Sequence, residues 1–246
     1  MLVLELQGGL GNQMFLYARA RALAEDRQTR LAIDARLYRK HTKRQYELEN
    51  FTLSATHANI FQILKAKIFG TYLSGEFKSD TYVKNYDDLI RAEFQFKEKE
   101  IFEKKFADIL QKIRTSNSVA VHVRRGDYVT KQNIYVNLQP DYYQKAMAMI
   151  SAKVENPIFF FFSDDIEWTK QNVPHTEHAV FICNKSIEDL YLMSQCKHTI
   201  IANSTFSWWA AWFNENKDKI IIAPKKWFTT ENLTEKELIP SSWIYI

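Results

Sequence analysis

A chain of 246 residues suits one large domain or two small ones, with ample apolar material for a core. Hydrophobic residues make up 46% and charged residues 25%, an ordinary soluble-enzyme composition, and the net charge of +4 comes without a basic stripe, which argues against a nucleic-acid-binding module. Two cysteines give no disulfide framework, and neither a leader nor an apolar run of about 18 residues is visible, so the chain reads as cytoplasmic, its mild basicity suiting an anionic small ligand or loose peripheral contact with the acidic inner face of a membrane.

Leu2 to Leu6 reads as a short apolar strand, followed by Gln7-Gly8-Gly9-Leu10-Gly11-Asn12-Gln13 and a helical pattern from Met14 to about Glu25. Strand, glycine-rich turn and helix can bring backbone N–H groups against a phosphate. The turn is neither a P-loop nor the dinucleotide fingerprint, because no Lys-Ser/Thr follows and Met14 stands where the third glycine belongs. A tight turn that needs positive φ explains the glycines equally. Thr29–Asp34 reads as a second strand, and Arg36 to Glu47 as a basic loop with a short helix. Ile60, Ile63, Leu64 and Ile68 have helical spacing, Leu73 to Phe77 reads as a strand end or turn, and Asp88 to Ile113 as one or two helices.

The second half changes texture. Short apolar runs at Val119–Val123, Ile158–Phe162, Val180–Ile182, Thr199–Ala202 and Ile220–Ala223 alternate with helical stretches at Asp141–Lys153, Ile166–Gln171, Ile187–Gln195 and Phe206–Asn214. That alternation predicts a parallel sheet with helices on both faces, and ligands bind such sheets at the carboxyl ends of the strands. The polar Arg114–Ser118 stretch marks a boundary, giving domains 1–115 and 116–246.

Three of the apolar runs end in polar clusters. The first is Val121-His122-Val123-Arg124-Arg125-Gly126-Asp127-Tyr128, in which adjacent guanidiniums and an imidazole can hold a phosphate or diphosphate by forked, charge-assisted hydrogen bonds. The two-residue strand period puts His122 and Arg124 on one face and turns Arg125 the other way. The second is Ser163-Asp164-Asp165, where a carboxylate serves a metal, acid–base chemistry or a helix cap. The third is Asn203-Ser204-Thr205-Phe206-Ser207, which caps a helix or points N–H groups and hydroxyls at a phosphate. Trp208 and Trp212, on that helix, are read as packing in preference to sugar contacts. Asp189 is a solvated helix acid or an acceptor for a guanine edge. No Asp-x-Asp occurs, so arginine must do the neutralising that a bound metal would otherwise do. His175-Thr176-Glu177-His178 has a metal-like look but lacks a third ligand nearby.

The blocks Gly8–Phe15, His122–Tyr128 and Asn203–Ala210 resemble the three signature blocks of the α-1,2-fucosyltransferases, glycosyltransferase family 11. Phe161–Asp165, Glu188–Ser194 and Ile222–Phe228 fit the same pattern, in collinear order over nearly the whole chain. The resemblance implies an α/β, GT-B-like enzyme of two Rossmann-like halves, the C-terminal half with a parallel sheet that binds the donor. It implies a metal-independent, inverting transfer of L-fucose from GDP-β-L-fucose to the 2-hydroxyl of a terminal galactose on an oligosaccharide. By the same resemblance the donor side comprises Gly9, Gly11, Asn12, Gln13, His122, Arg124, Asp164, Asp189, Asn203, Ser204, Thr205, Phe206 and Ser207. Arg124 meets the diphosphate, His122 and Asp189 lie near guanosine, and Asp127 is named as catalytic base with Arg124 as the catalytic electrostatic group. Two departures bear on the acceptor: a short first half, and Gly75-Glu76-Phe77-Lys78-Ser79 where the family has Gly-Tyr-Phe/Trp-Gln-Ser. The rival readings are another GDP-6-deoxy-hexose or acceptor sugar, and a non-catalytic nucleotide-sugar binder.

Overall fold

The computed structural model describes residues 1–39, 44–75, 80–130, 133–229, 238 and 240–246, without the side chains of Asp80, Tyr82, Asp127 and Thr130. The chain divides into two compact units, Met1–Lys99 and Glu100–Ile246.

In the first unit β1 (Leu2–Glu5) leads into α1 (Leu10–Asp26), then β2 (Leu31–Asp34), β3 (Thr56–His57), α2 (Ile60–Ile68), β4 (Tyr72–Leu73), α3 (Asp80–Asn85) and α4 (Asp87–Glu93). Its strands are parallel and ordered β3-β2-β1-β4. Strand order reverses beside β1, so the glycine turn leaves the sheet at its switch point. Helix α1 begins at Leu10, four residues before the expected Met14, with Gly9 as N-cap. Only Gly8 among the three glycines of the turn takes a positive φ, +78°. Gly11, Asn12 and Gln13 therefore form the first turn of a helix and not an open loop. A buried network closes this unit: Tyr17 Oη donates to Glu93 Oε2 at 2.7 Å, Arg21 Nε to Glu93 Oε1 at 2.8 Å, and the Ser54 N–H to Glu93 Oε2 at 2.7 Å.

The second unit opens with α5 (Lys99–Lys105) and α6 (Ala107–Thr115), then β5 (Asn117–Val123), α7 (Gly126–Thr130), α8 (Pro140–Ser151), β6 (Pro157–Ser163), α9 (Ile166–Asn172), β7 (Val180–Ile182), α10 (Ser186–Gln195), β8 (His198–Ile200), α11 (Thr205–Phe213), β9 (Ile221–Ala223) and β10 (Ile244–Tyr245). The division at Lys99 falls earlier than the expected 115/116 because α5 and α6 pack with the second unit. Phe102 is buried 5.4 Å (centroid to centroid) from the Tyr191 ring of α10, and Lys105 pairs with Glu188 at 2.6 Å. Composition does not mark that seam, whereas the polar Arg114–Ser118 stretch is merely the turn from α6 into β5.

The parallel sheet anticipated for the C-terminal half is present, in the order β10-β9-β8-β5-β6-β7. Its core strand β6 buries Phe159 to Phe162 on both faces, which is why that stretch is apolar throughout and not alternating. The chain runs outward from β5 to β6 and β7, then returns to the other flank of β5 as β8. The reversal sits between β5 and β8, and a crevice opens beyond the carboxyl ends of that strand pair. Trp208 and Trp209 on α11 are fully buried, and Trp208 Nε1 donates to the Leu238 carbonyl at 2.6 Å, so packing accounts for both. Among the described residues no helix is long and apolar enough to cross a membrane.

Candidate active site

The sheet of the second unit brings the His122–Tyr128 block and the Asn203–Ser207 block to its switch point, because the first follows β5 and the second follows β8. A direct hydrogen bond joins them: Tyr128 Oη donates to the Asn203 carbonyl at 3.0 Å. Asn203 itself is buried and donates through Nδ2 to the carbonyls of Val136 at 2.8 Å and Trp227 at 2.9 Å. Its side chain fixes the loop; it does not cap α11. Ser204 is the N-cap residue, without a side-chain cap bond, and Ser207 Oγ donates back to the Ala202 and Ser204 carbonyls. Thr205 and Phe206 are half-buried at the positive end of the α11 dipole.

His122 is fully enclosed, its ring 5.4 Å from that of Phe206. Burial first, and the Arg124 charge second, pull its pKa down to about 3, so the imidazole is neutral at any working pH. Its Nδ1 has no hydrogen-bond partner inside the protein. Arg124 comes directly after the last residue of β5 and meets Asp164 beyond β6 at 2.7 Å. Asp164 also accepts from the Arg125 backbone N–H at 2.8 Å. The carboxylate thereby ties the polar ends of two neighbouring strands and orients the arginine. The Asp127 side chain lies outside the described residues, so its expected role as base has no geometry to set beside it.

Arg125 points away from this cluster, as the strand period indicates. Its guanidinium lies 3.7 Å over the Trp168 ring and donates to Asn137 Oδ1 at 3.3 Å, a packing role. Of the acidic pair, Asp165 is the helix cap, accepting from the Trp168 N–H at 3.2 Å, and Asp164 is the arginine partner.

Asp189, in the first turn of α10, accepts from the Asn184 backbone N–H and from Asn184 Nδ2 at 3.0 to 3.2 Å. It is buried and not the solvated acid of the simpler reading. Burial pushes its pKa up to about 6, against the pull of the Asn184 hydrogen bonds.

In the first unit, both N–H groups of the Gln13 amide are spent on the Gly8 and Gln45 carbonyls, at 3.1 and 2.7 Å, while its oxygen accepts from the Glu47 N–H. Gln13 braces the turn from within. At the carboxyl ends of β1 and β2, Tyr72 Oη bridges Glu5 and Asp34 at 3.0 and 2.9 Å, and Arg36 forks onto Asp34. Burial raises the Asp34 pKa, but Arg36 and Tyr72 outweigh it and hold the carboxyl below its ordinary value. The sequence offers no sign of this cluster, since its members lie on three separate strands and a turn. The Glu76–Ser79 part of the divergent acceptor-side block lies outside the described residues.

His175 is held by its Nδ1 against the Val173 carbonyl at 2.8 Å and by the rings of Phe161 and Phe181. Among the described residues no group of three or more His, Cys, Asp and Glu side chains is placed to hold a metal.

Similar proteins agree on the family. The alpha-1,2-colitosyltransferase of Escherichia coli is 33% identical across 99% of this chain and 98% of its own length. The galactoside alpha-(1,2)-fucosyltransferase 2 of Rattus norvegicus is 36% identical, but over 39% of this chain and 30% of its own. Among solved structures, the fucosyltransferase NodZ from Bradyrhizobium superposes with a TM-score of 0.55 at 13% identity, covering 85% of this chain and 91% of that one. A crystal of the NodZ alpha-1,6-fucosyltransferase has been soaked with GDP-fucose. At that identity the likeness shows the fold alone, which is GT-B-like. The glycosyl transferase family 11 model matches residues 1–246, and the chain belongs to that family.

Proposed function

We propose that this glycosyltransferase moves L-fucose from GDP-β-L-fucose to the 2-hydroxyl of a terminal galactose on a glycan, with inversion and without a metal. The observation that carries the donor half of this reading is the placement of Arg124 and the α11 N-terminus on neighbouring strands at the sheet's switch point. Both are complementary to a diphosphate, and NodZ, of the same fold, has been soaked with GDP-fucose.

The reaction is a single displacement. The acceptor hydroxyl attacks C1 of the sugar as the C1–O bond to the diphosphate breaks, through an oxocarbenium-like transition state. Its proton goes to a carboxylate, for which Asp127 is the proposed base, and negative charge grows on the β-phosphate. Arg124 and the N–H groups opening α11 meet that charge, and a preorganised donor of this kind is worth about 3 kcal/mol. His122, neutral, lends a hydrogen bond and no charge. Asp189 is proposed to accept from the guanine N1–H and amino group, with Asn184 holding it in place.

A second donor has support of its own. The relative matched along its whole length is a colitosyltransferase, while the fucosyltransferase of Rattus norvegicus matches less than half of this chain. Colitose lacks one hydroxyl of L-fucose, and a site that hydrogen-bonds a substrate hydroxyl discriminates strongly against the analogue without it.

One assay separates these readings. GDP release is measured with GDP-fucose and GDP-colitose, each against lactose, N-acetyllactosamine and a type 1 chain. Fastest turnover with GDP-fucose on a galactoside supports the proposal, and preference for GDP-colitose replaces the donor. Binding of either without release on any acceptor makes the chain a nucleotide-sugar binder.

A further inference from the structure

Helix α2 (Ile60–Ile68) carries apolar residues on two faces. One is spent on the core: Ile63 and Ala66 are buried against Val3 and Ala32 of the first sheet. The other meets solvent. Phe61 is 79% exposed and Ile68 78%, Ile60 and Leu64 are half exposed, and Phe69, just past the helix, is 69% exposed. At about 100° per residue, Ile60, Leu64, Ile68 and Phe61 fall within an arc roughly 100° wide. Lys67 lies just outside one edge of that arc and Lys65 just outside the other, and both are exposed. The stretch from Asn50 to Gly75 contains no aspartate or glutamate.

Large apolar side chains left in water at this density mark a surface that something covers. Charge decides what. A lysine on each long edge of an apolar stripe is the arrangement of a helix lying in a membrane interface. The apolar side chains enter the acyl boundary, and the lysine stems reach outward so that their ammonium groups meet anionic headgroups. A second copy seated face to face would bring lysine against lysine with no carboxylate along the segment to pair them. We propose that the Ile60–Phe69 face docks this chain on an anionic lipid surface.

The test is co-sedimentation of the full chain with vesicles of phosphatidylethanolamine and phosphatidylglycerol, against vesicles of phosphatidylcholine alone. The wild type is expected to pellet with the first and to stay in solution with the second. The double variant Phe61→Ser/Ile68→Ser should bind the acidic vesicles at least about tenfold more weakly, since two large side chains no longer enter the apolar layer. Lys65→Gln and Lys67→Gln should each weaken binding about fivefold. GDP release on soluble acceptors and the far-ultraviolet spectrum should stay at wild-type levels in every variant, since these side chains support neither the core nor the donor site. The proposal is overturned if the wild type ignores acidic vesicles, if it binds both vesicle types equally, or if the serine variant pellets like wild type. It is overturned equally if sedimentation velocity shows a dimer that the serine variant dissociates.

Discussion

The Arg124 guanidinium and the Asp164 carboxylate meet at 2.7 Å, one just past β5 and the other just past β6. Those strands pair in parallel with Val123 opposite Ser163, so the ion pair closes the polar rim of the sheet where its apolar part stops. The carboxylate is partly exposed and also takes the Arg125 N–H, which holds the turn and the guanidinium in one orientation. A guanidinium has five N–H donors in a planar fork, so engagement by a carboxylate is compatible with simultaneous engagement by a phosphate.

The first expectation concerns that guanidinium. Arg124→Ala should lower kcat/KM at least about a hundredfold, the loss expected for one preorganised donor to a developing oxyanion. Asp164 keeps the Arg125 N–H and access to water, so the variant should remain folded, as circular dichroism would show. Near-normal turnover in Arg124→Ala would sink the diphosphate assignment.

Gly126 tests the orientation separately from the charge. It has φ of +22°, and a Cβ there would stand 2.4 Å from Asp164 Oδ2. Gly126→Ala should drive the carboxylate off its present rotamer and release Arg124, while adding about 1 kcal/mol of backbone strain. GDP affinity by calorimetry should fall about tenfold with only a modest drop in melting temperature. Unchanged affinity would mean that Asp164 does not set the position of Arg124.

Much of the fold and part of the site are legible along the chain, and the failures have a common cause. Buried on both faces, β6 betrays itself by four consecutive phenylalanines. The direction of Arg125 comes from strand period alone. The Arg124–Asp164 pair cannot be read, because which parallel strands become neighbours is decided by crossovers and not by local pattern. For that reason Asp164 reads from the sequence as a cap, an acid–base group or a metal ligand. Helix α2 shows the other limit: spacing announces an apolar face without saying what it faces, and Ile60, Leu64 and Ile68 turn to solvent. Glycine's poor helix propensity hides the start of α1, where Gly11 lies buried in the first turn.

Metal independence rests on the charge inventory. The chain has no Asp-x-Asp, and Arg124 with the α11 N-terminus is proposed to neutralise the leaving diphosphate. Turnover should therefore be the same in excess EDTA as in millimolar Mg2+ or Mn2+. Loss of GDP release on chelation, restored by one of these ions, would overturn this part of the proposal.

His122 and Asp189 should give stability opposite dependences on pH. The His122 pKa falls from 6.5 to about 3 on folding, so between those values the unfolded chain binds more protons and its contribution is lost as pH drops below about 6.5. The Asp189 pKa rises from 3.8 to about 6, so its contribution is full below 3.8 and is lost as pH rises through 6. Urea unfolding from pH 4 to 8 should show His122→Gln with a flatter acid limb than wild type. Asp189→Asn should gain stability relative to wild type as pH rises to about 6, then hold level. The same carboxyl governs the base if it accepts from guanine. GDP affinity should then fall below about pH 6, beyond the fall caused by the terminal phosphate, which itself titrates near pH 6. Asp189→Asn retains the phosphate titration and lacks the carboxyl, so the difference between the two profiles isolates Asp189. Parallel profiles would remove Asp189 from the guanosine site and leave it as the anchor of Asn184.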